Sequence, residues 1–246
     1  MRTPSPADRC EHTHYGRRRG RRLRPGRKRL LEDVLPRLRV PMADFRALVR
    51  QLPSGPFRNY SDIWLEVGFG QGEHLAAQAR AHPDTLFIGC EPYIDGISRL
   101  LRTIDSEGIE NILIHDDDAQ ILLDALPDAS IGRLFLLFPD PWPKRRHYKR
   151  RFVSPTNLDR IARVLGDGAA FRFATDHAEY ARWTLWHVVN HVALEWPAIR
   201  SGDWRHRARD WPETRYERKA VARGRTCTYL TFRRCTRAAE TDNEVE

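Results

Sequence analysis

An apolar run, Leu134-Phe135-Leu136-Leu137-Phe138, leads straight into Pro139-Asp140-Pro141-Trp142-Pro143-Lys144. No other stretch limits the fold as strongly. Consecutive large apolar residues read as a strand buried on both faces, which places it inside a parallel sheet. Ligands of open α/β sheets sit just beyond the carboxyl ends of such strands. At that end stand a carboxylate (Asp140), an indole (Trp142) and a run of six cations: Lys144, Arg145, Arg146, Lys149, Arg150 and Arg151. Pro139, Pro141 and Pro143 withhold three backbone donors and fix φ, so the loop is expected to be stiff. A stiff loop that offers an acid beside a ring, next to cations, suits an extruded nucleobase whose phosphates lie nearby. The plain alternative is a proline-rich turn followed by a solvated charge run.

The rest of the chain alternates. Strands are predicted at 63–67, 85–90, 111–115, 132–138, 169–174, 191–196 and 226–232. Helices are predicted at 73–81, 94–106, 119–125, 156–164, 177–190 and 214–221. Strands separated by helices of this length form βαβ units, hence a parallel sheet. The last two strands are close enough to form a hairpin, which leaves one of the seven antiparallel. Before this alternation, residues 50–60 read as a linker rich in Pro, Gly and Ser, and residues 30–36 offer one short amphipathic helical turn.

The formal net charge of +9 has one location. Residues 1–39 hold thirteen Lys or Arg against four Asp or Glu, and the remainder carries 29 of each sign. The chain therefore divides into a basic N-terminal arm (1–39), an α/β domain (40–236) and a short acidic tail (237–246). Arginine and glycine with little apolar content cannot bury a core, so arm and tail are expected to be disordered, the arm until it meets a polyanion. Arginine favours forked contacts to phosphate, which makes nucleic acid the expected partner; a solubility tail is the alternative. No apolar run approaches the ~20 residues that span a bilayer, and the N-terminus lacks the apolar core of a secretion signal. No membrane partner and a cytoplasmic location are expected. Cys10, Cys90, Cys227 and Cys235 are scattered without CxxC spacing, so reduced thiols are expected and no metal. Cys90 reads as a small core residue.

Leu65-Glu66-Val67-Gly68-Phe69-Gly70-Gln71-Gly72 ends the first strand and opens the first helix. Gly68, Gly70 and Gly72 let backbone approach a ligand where a Cβ would clash. A dinucleotide fingerprint needs G-x-G-x-x-G; here the third glycine comes one residue early, and Glu66 and Glu73 add negative charge. That suits a cationic ligand such as S-adenosylmethionine. Glu91 closes the second strand, where an acid can accept both ribose hydroxyls. Asp118 follows the third, where it could accept an adenine amino group or cap a helix. Asp116 and Asp117 read as a solvated loop.

With these motifs in register, the chain resembles the bacterial tRNA (guanine-N7-)-methyltransferases over roughly residues 15–235. The motifs that carry the resemblance are 66–72, Gly89-Cys90-Glu91-Pro92, Phe138 to Lys144 with its basic tail, Ala174-Thr175-Asp176, and Thr214-Arg215-Tyr216-Glu217. The arm is richer in arginine than that family leads one to expect. The resemblance implies a class I methyltransferase fold, a Rossmann-like three-layer sandwich on a seven-stranded sheet. It also implies transfer of a methyl group from S-adenosylmethionine to N7 of a guanosine in the variable region of tRNA (position 46). By the same resemblance, Glu66, Glu91, Asp118 and Asp140 line the cofactor site, and Asp140 is the active-site residue. Lys144, Asp176, Thr214, Arg215, Tyr216 and Glu217 then face the RNA. A monomer and a homodimer both remain open.

N7 of guanine already carries an in-plane lone pair, so no strong general base is needed, in keeping with the absence of a Cys-His or Ser-His pairing. A carboxylate can accept both N1–H and the 2-amino group of guanine; Asp140 is the first candidate and Asp176 the second. Trp142 either stacks on the base or packs under the loop. Two alternatives from other classes are a nicotinamide dehydrogenase on a Rossmann sheet, and a non-enzymatic RNA-binding protein on a methyltransferase-like fold.

Overall fold

The computed structural model describes residues 16, 18–20, 22–45, 49 and 60–237. The linker at 50–59, the tail beyond Arg237, and residues 1–15 (Cys10 among them), 17 and 21 of the arm lie outside them. From Ser61 on, strands and helices alternate as the periodicity predicts. The elements are β1 (Asp62–Val67), α3 (Glu73–Ala81), β2 (Thr85–Cys90), α4 (Ile94–Glu107), β3 (Ile112–His115), α5 (Ala119–Ala125) and β4 (Ile131–Leu137). A 3₁₀ helix (Arg145–Arg150), α6 (Pro155–Val164), β5 (Leu165–Thr175), α7 (Ala178–Val189), β6 (Leu194–Glu195), α8 (Gly202–Arg205), α9 (Arg215–Val221) and β7 (Thr228–Arg234) follow. Two helices precede β1 inside the basic arm, α1 (Pro25–Asp33) and α2 (Leu35–Leu38). Pro25 and Pro36 each sit in the first turn of one of them, where a missing N–H costs nothing.

One sheet in the order β3-β2-β1-β4-β5-β7-β6 organises the domain. β1 pairs in parallel with both β2 and β4, and β7 runs antiparallel to β5 and β6. Alternate residues of the central strands feed two cores. Leu65, Leu134 and Leu136 pack on one face, Trp64, Phe135 and Leu137 on the other. Helices cover both faces, which is the three-layer sandwich expected. Chain order reverses between β1 and β4, and the crevice beyond their carboxyl ends is where such sheets bind ligands.

Two strands depart from expectation. β5 begins at Leu165, directly after α6, because Leu165 pairs with Ile131 across a register shift before the ladder resumes at Arg133 and Ala170. The polar Gly166-Asp167-Gly168 segment hides this start in the sequence. β6 shrinks to two residues: Leu194 is buried, whereas Val192 is almost fully exposed, so the apolar residues around it do not share one face.

Candidate active site

A cavity of about 490 Å³ opens at the reversal point, between the ends of β1, β2 and β4 and the start of α5. Its size falls within the range of small-molecule sites. Gly68, Gly70, Glu91, Asp118, Asp140 and Tyr216 all line it, six of the predicted site residues.

The glycine turn is left-handed at three points, with φ +72° at Gly68, +59° at Gly70 and +77° at Gly72. Only glycine adopts such angles readily. The three have different surroundings. A Cβ on Gly68 would meet nothing within 4 Å, and one on Gly70 would touch the Tyr216 ring at 3.1 Å. On Gly72 it would collide with Leu100 of α4 at 2.6 Å. Gly72 therefore serves helix packing, while Gly68 leaves the cavity clear.

Glu91 locks this turn to β2. Its Oε2 accepts the Gly70 N–H at 2.8 Å and its Oε1 the Tyr93 N–H at 3.0 Å. Burial pushes its carboxyl above the ordinary pKa, against the pull of those two donors and with further push from Asp140 and Glu66. Asp118 divides its oxygens. Oδ1 accepts the Gln120 N–H at 2.9 Å and caps α5. Oδ2 is buried and has no hydrogen-bond partner among the described residues. Both readings of Asp118, helix cap and ligand acceptor, are thus available to one side chain.

Glu66 lies lower. It is buried at the edge of a much smaller recess beside the cavity, together with Gly68, His74, Thr214 and Tyr216. Its Oε2 stands 2.7 Å from His74 Nδ1. His74 is itself buried, edge-on to Phe135 and Trp211. Sequence reading missed it: a histidine eight residues past a strand acid carries no recognisable spacing.

Asp140 sits on the loop after β4, exposed, and no hydrogen bond or ion pair occupies its carboxylate among the described residues. Phe138 and Trp142 flank it with positive φ, +51° and +43°, conformations that cost a bulky residue of order 1–3 kcal/mol each. The stiffness expected from the prolines is joined by backbone strain. Trp142 packs within the loop, its ring edge-on to His147 at 5.9 Å and covered by the Arg150 guanidinium at 4.9 Å.

Of the residues assigned to RNA, Lys144 and Arg215 are exposed. Asp176 is instead paired with Arg225 at 2.7 Å, which weakens it as a rival to Asp140. Thr214 caps α9 through the Glu217 N–H. Glu217 is buried, accepting from Tyr229 Oη at 2.7 Å and Arg207 Nε at 2.9 Å. Those two side chains face the protein and hold Arg215 and Tyr216 outward. Tyr216 lines both the cavity and the smaller recess. Burial, followed by the charge of Glu91, pushes its hydroxyl above the ordinary pKa. Arg151, read as one more surface cation, has a fully buried side chain.

A family model for putative methyltransferases matches residues 61–230. A tRNA (guanine-N(7)-)-methyltransferase of Rhodospirillum rubrum is 50% identical over 92% of this chain and 89% of its own length. Its counterpart in Rhizobium meliloti is 46% identical over 94% and 99%. The chain belongs to the tRNA (guanine-N(7)-)-methyltransferase family. Among solved structures, the 16S rRNA methyltransferase KamB superposes with a TM-score of 0.55 at 20% identity, over 79% of this chain and 94% of that one. The aminoglycoside resistance methyltransferase NpmB1 gives 0.51 at 15% identity, over 80% and 94%. These two show the fold. Membership in the methyltransferase family leaves the dehydrogenase and non-enzymatic readings without support. No helix among the described residues is long and apolar enough to cross a membrane.

Proposed function

We propose that this protein transfers a methyl group from S-adenosylmethionine to N7 of a guanosine in tRNA, with Asp140 contacting the base. One observation carries the reading. A cavity at the sheet's reversal point holds a buried acceptor, Asp118 Oδ2, and a carboxylate on a strained loop, Asp140, neither of which has a partner among the described residues.

The residues fit the cofactor. An adenine amino group would supply the donor that Asp118 Oδ2 lacks, and a buried acceptor left unpaired is costly. Each Glu91 oxygen accepts one backbone N–H and keeps lone-pair capacity for a ribose hydroxyl. Gly68 leaves room beside it, and Glu66 brings negative charge to the recess where an ammonium group would lie. When bound, S-adenosylmethionine supplies a methyl carbon on a sulfonium, open to in-line attack.

The protein's part is placement. The two oxygens of Asp140 can accept guanine N1–H and the 2-amino group together. Adenine presents no such pair of donors and is rejected. Holding that edge also raises electron density toward N7, which needs no deprotonation. Near-attack placement of this kind contributes on the order of 7 kcal/mol or more. Lys144 and Arg215, exposed near the loop, hold phosphates. With tRNA as the substrate, the site of action is the cytoplasm.

The test is incubation with bulk unmodified tRNA and S-adenosylmethionine, then borohydride and aniline treatment, which cleaves at N7-methylguanosine. Cleavage at a guanosine of the variable region supports the reading; label transfer without N7 cleavage overturns it.

A further inference from the structure

We propose that Arg151 is a positioning residue for methyl transfer, fixing Asp140 through the carbonyl of Pro141; the proposal rests on Asp140 contacting the reacting base. The cationic run after Trp142 looks uniform in sequence and is not uniform in space. Lys144, Arg145, Arg146 and Lys149 are exposed. The Arg151 side chain is fully buried and faces the loop from behind.

Each part of that guanidinium has a partner. Nε donates to the Pro141 carbonyl at 2.9 Å. Nη1 donates to Glu179 Oε1 at 3.1 Å, and Nη2 to Glu179 Oε2. The planar group lies over the Tyr148 ring at 3.8 Å, with the Tyr180 and Trp183 rings each at 5.0 Å. A forked, flat cation suits this place, and an ammonium does not match it.

The loop needs such a hold. Its three prolines have no N–H to donate, so it cannot brace itself by hydrogen bonds from those positions. Its first end is tied by the Phe138 N–H to the Ala174 carbonyl at 2.7 Å. The Pro141 carbonyl, one residue past Asp140, is held by Arg151. Without that bond the positive φ at Trp142 has less to enforce it, and Asp140 gains freedom. Glu179 lies in the first turn of α7, just after Asp176. Arg151 thereby joins the loop after β4 to the first turn of α7, the helix that follows β5.

A phosphate-binding role and a placement role differ in what they do to kinetics. Loss of a phosphate contact raises the KM for tRNA, whereas loss of placement lowers kcat. The experiment measures kcat, KM for tRNA and S-adenosylhomocysteine affinity for Arg151→Lys, Arg151→Ala, Glu179→Gln and Asp140→Asn, with thermal unfolding for each. Arg151→Lys is expected to lose about tenfold or more in kcat, since a misplacement of ~1 Å can cost up to about 100-fold. Its KM and cofactor affinity should stay within about threefold, and Glu179→Gln, which spares the Pro141 contact, should lose less. Millimolar guanidinium should restore part of the kcat of Arg151→Ala, a rescue that a general loss of folding would not show. If Arg151→Ala does not fold, Arg151→Lys decides. Wild-type kcat in Arg151→Lys, or a rise confined to KM for tRNA, overturns the proposal. If Asp140→Asn retains full turnover, the reading of Asp140 fails instead, and the two failures are told apart.

Discussion

Glu91 accepts the backbone N–H of Gly70 at 2.8 Å, so the acid that ends β2 and the turn that follows β1 form one unit. The same carboxyl is buried, and burial raises its pKa above the ordinary value. Its folded-state pKa thus lies above the unfolded one. Any stability it contributes is full below the ordinary carboxylate range and is lost as pH rises through the raised value. Ribose hydroxyls would favour the ionised form, because they donate to it. Cofactor binding should therefore expel a proton, and affinity should fall as pH drops through that raised value. Calorimetry with S-adenosylhomocysteine in buffers of different ionisation enthalpy measures both. Affinity flat across the acid range, with no proton release, would rule the contact out.

Asp118 makes a sharper test, because its two oxygens do separate things. Asp118→Asn keeps a good helix cap and puts an amide donor where a second donor is expected. A hydrogen bond to a charged acceptor is worth about 1.5–3 kcal/mol, so affinity for S-adenosylhomocysteine should fall about 10- to 100-fold. Thermal stability should barely change. Asp118→Ala should lose both affinity and roughly 1 kcal/mol of stability. Equal affinity in Asp118→Asn and the parent would leave Oδ2 with no ligand role.

The glycines should part company in the same way. Gly68→Ala places a methyl where nothing stands within 4 Å, so its cost is backbone strain of about 1–2 kcal/mol plus lost cofactor affinity. Gly72→Ala drives a methyl into Leu100 and should cost more stability than Gly68→Ala, with affinity changing less. Parallel melts and titrations of the two variants check this. A reversed pattern would move the cofactor away from Gly68.

Much of the fold was legible in the sequence. α3, β2 and α5 fall where the residue pattern put them, because each couples an unbroken apolar period to a turn or cap at both ends. That Glu91, Asp118 and Asp140 line one cavity was legible because each follows closely on the carboxyl end of a strand. Arg151 and Glu217 were not. A charge run and a polar helix start carry no mark of which member turns inward. That is decided by Glu179 for Arg151 and by Tyr229 and Arg207 for Glu217, partners that lie outside the run and the helix start themselves. The paired β5 start at Leu165 stayed hidden for a related reason, since its partner Ile131 lies on another strand.

The exposed part of the cationic run should behave unlike Arg151. Arg145, Arg146 and Lys149 are exposed on the 3₁₀ helix beside the loop that holds Asp140. No acidic residue stands within that helix. Their expected work is with phosphates. A triple substitution to alanine should then lower the slope of log affinity for tRNA against log salt by roughly 0.7 to 0.9 per contact, about 2 to 3 units in all. The loss should appear in KM, with kcat at saturating tRNA close to the parent's, because Asp140 and its clamp are untouched. Filter binding at several salt concentrations, beside saturation kinetics, reads both quantities. An unchanged slope would take the run out of the RNA interface and shift the burden to Arg215 and the basic arm.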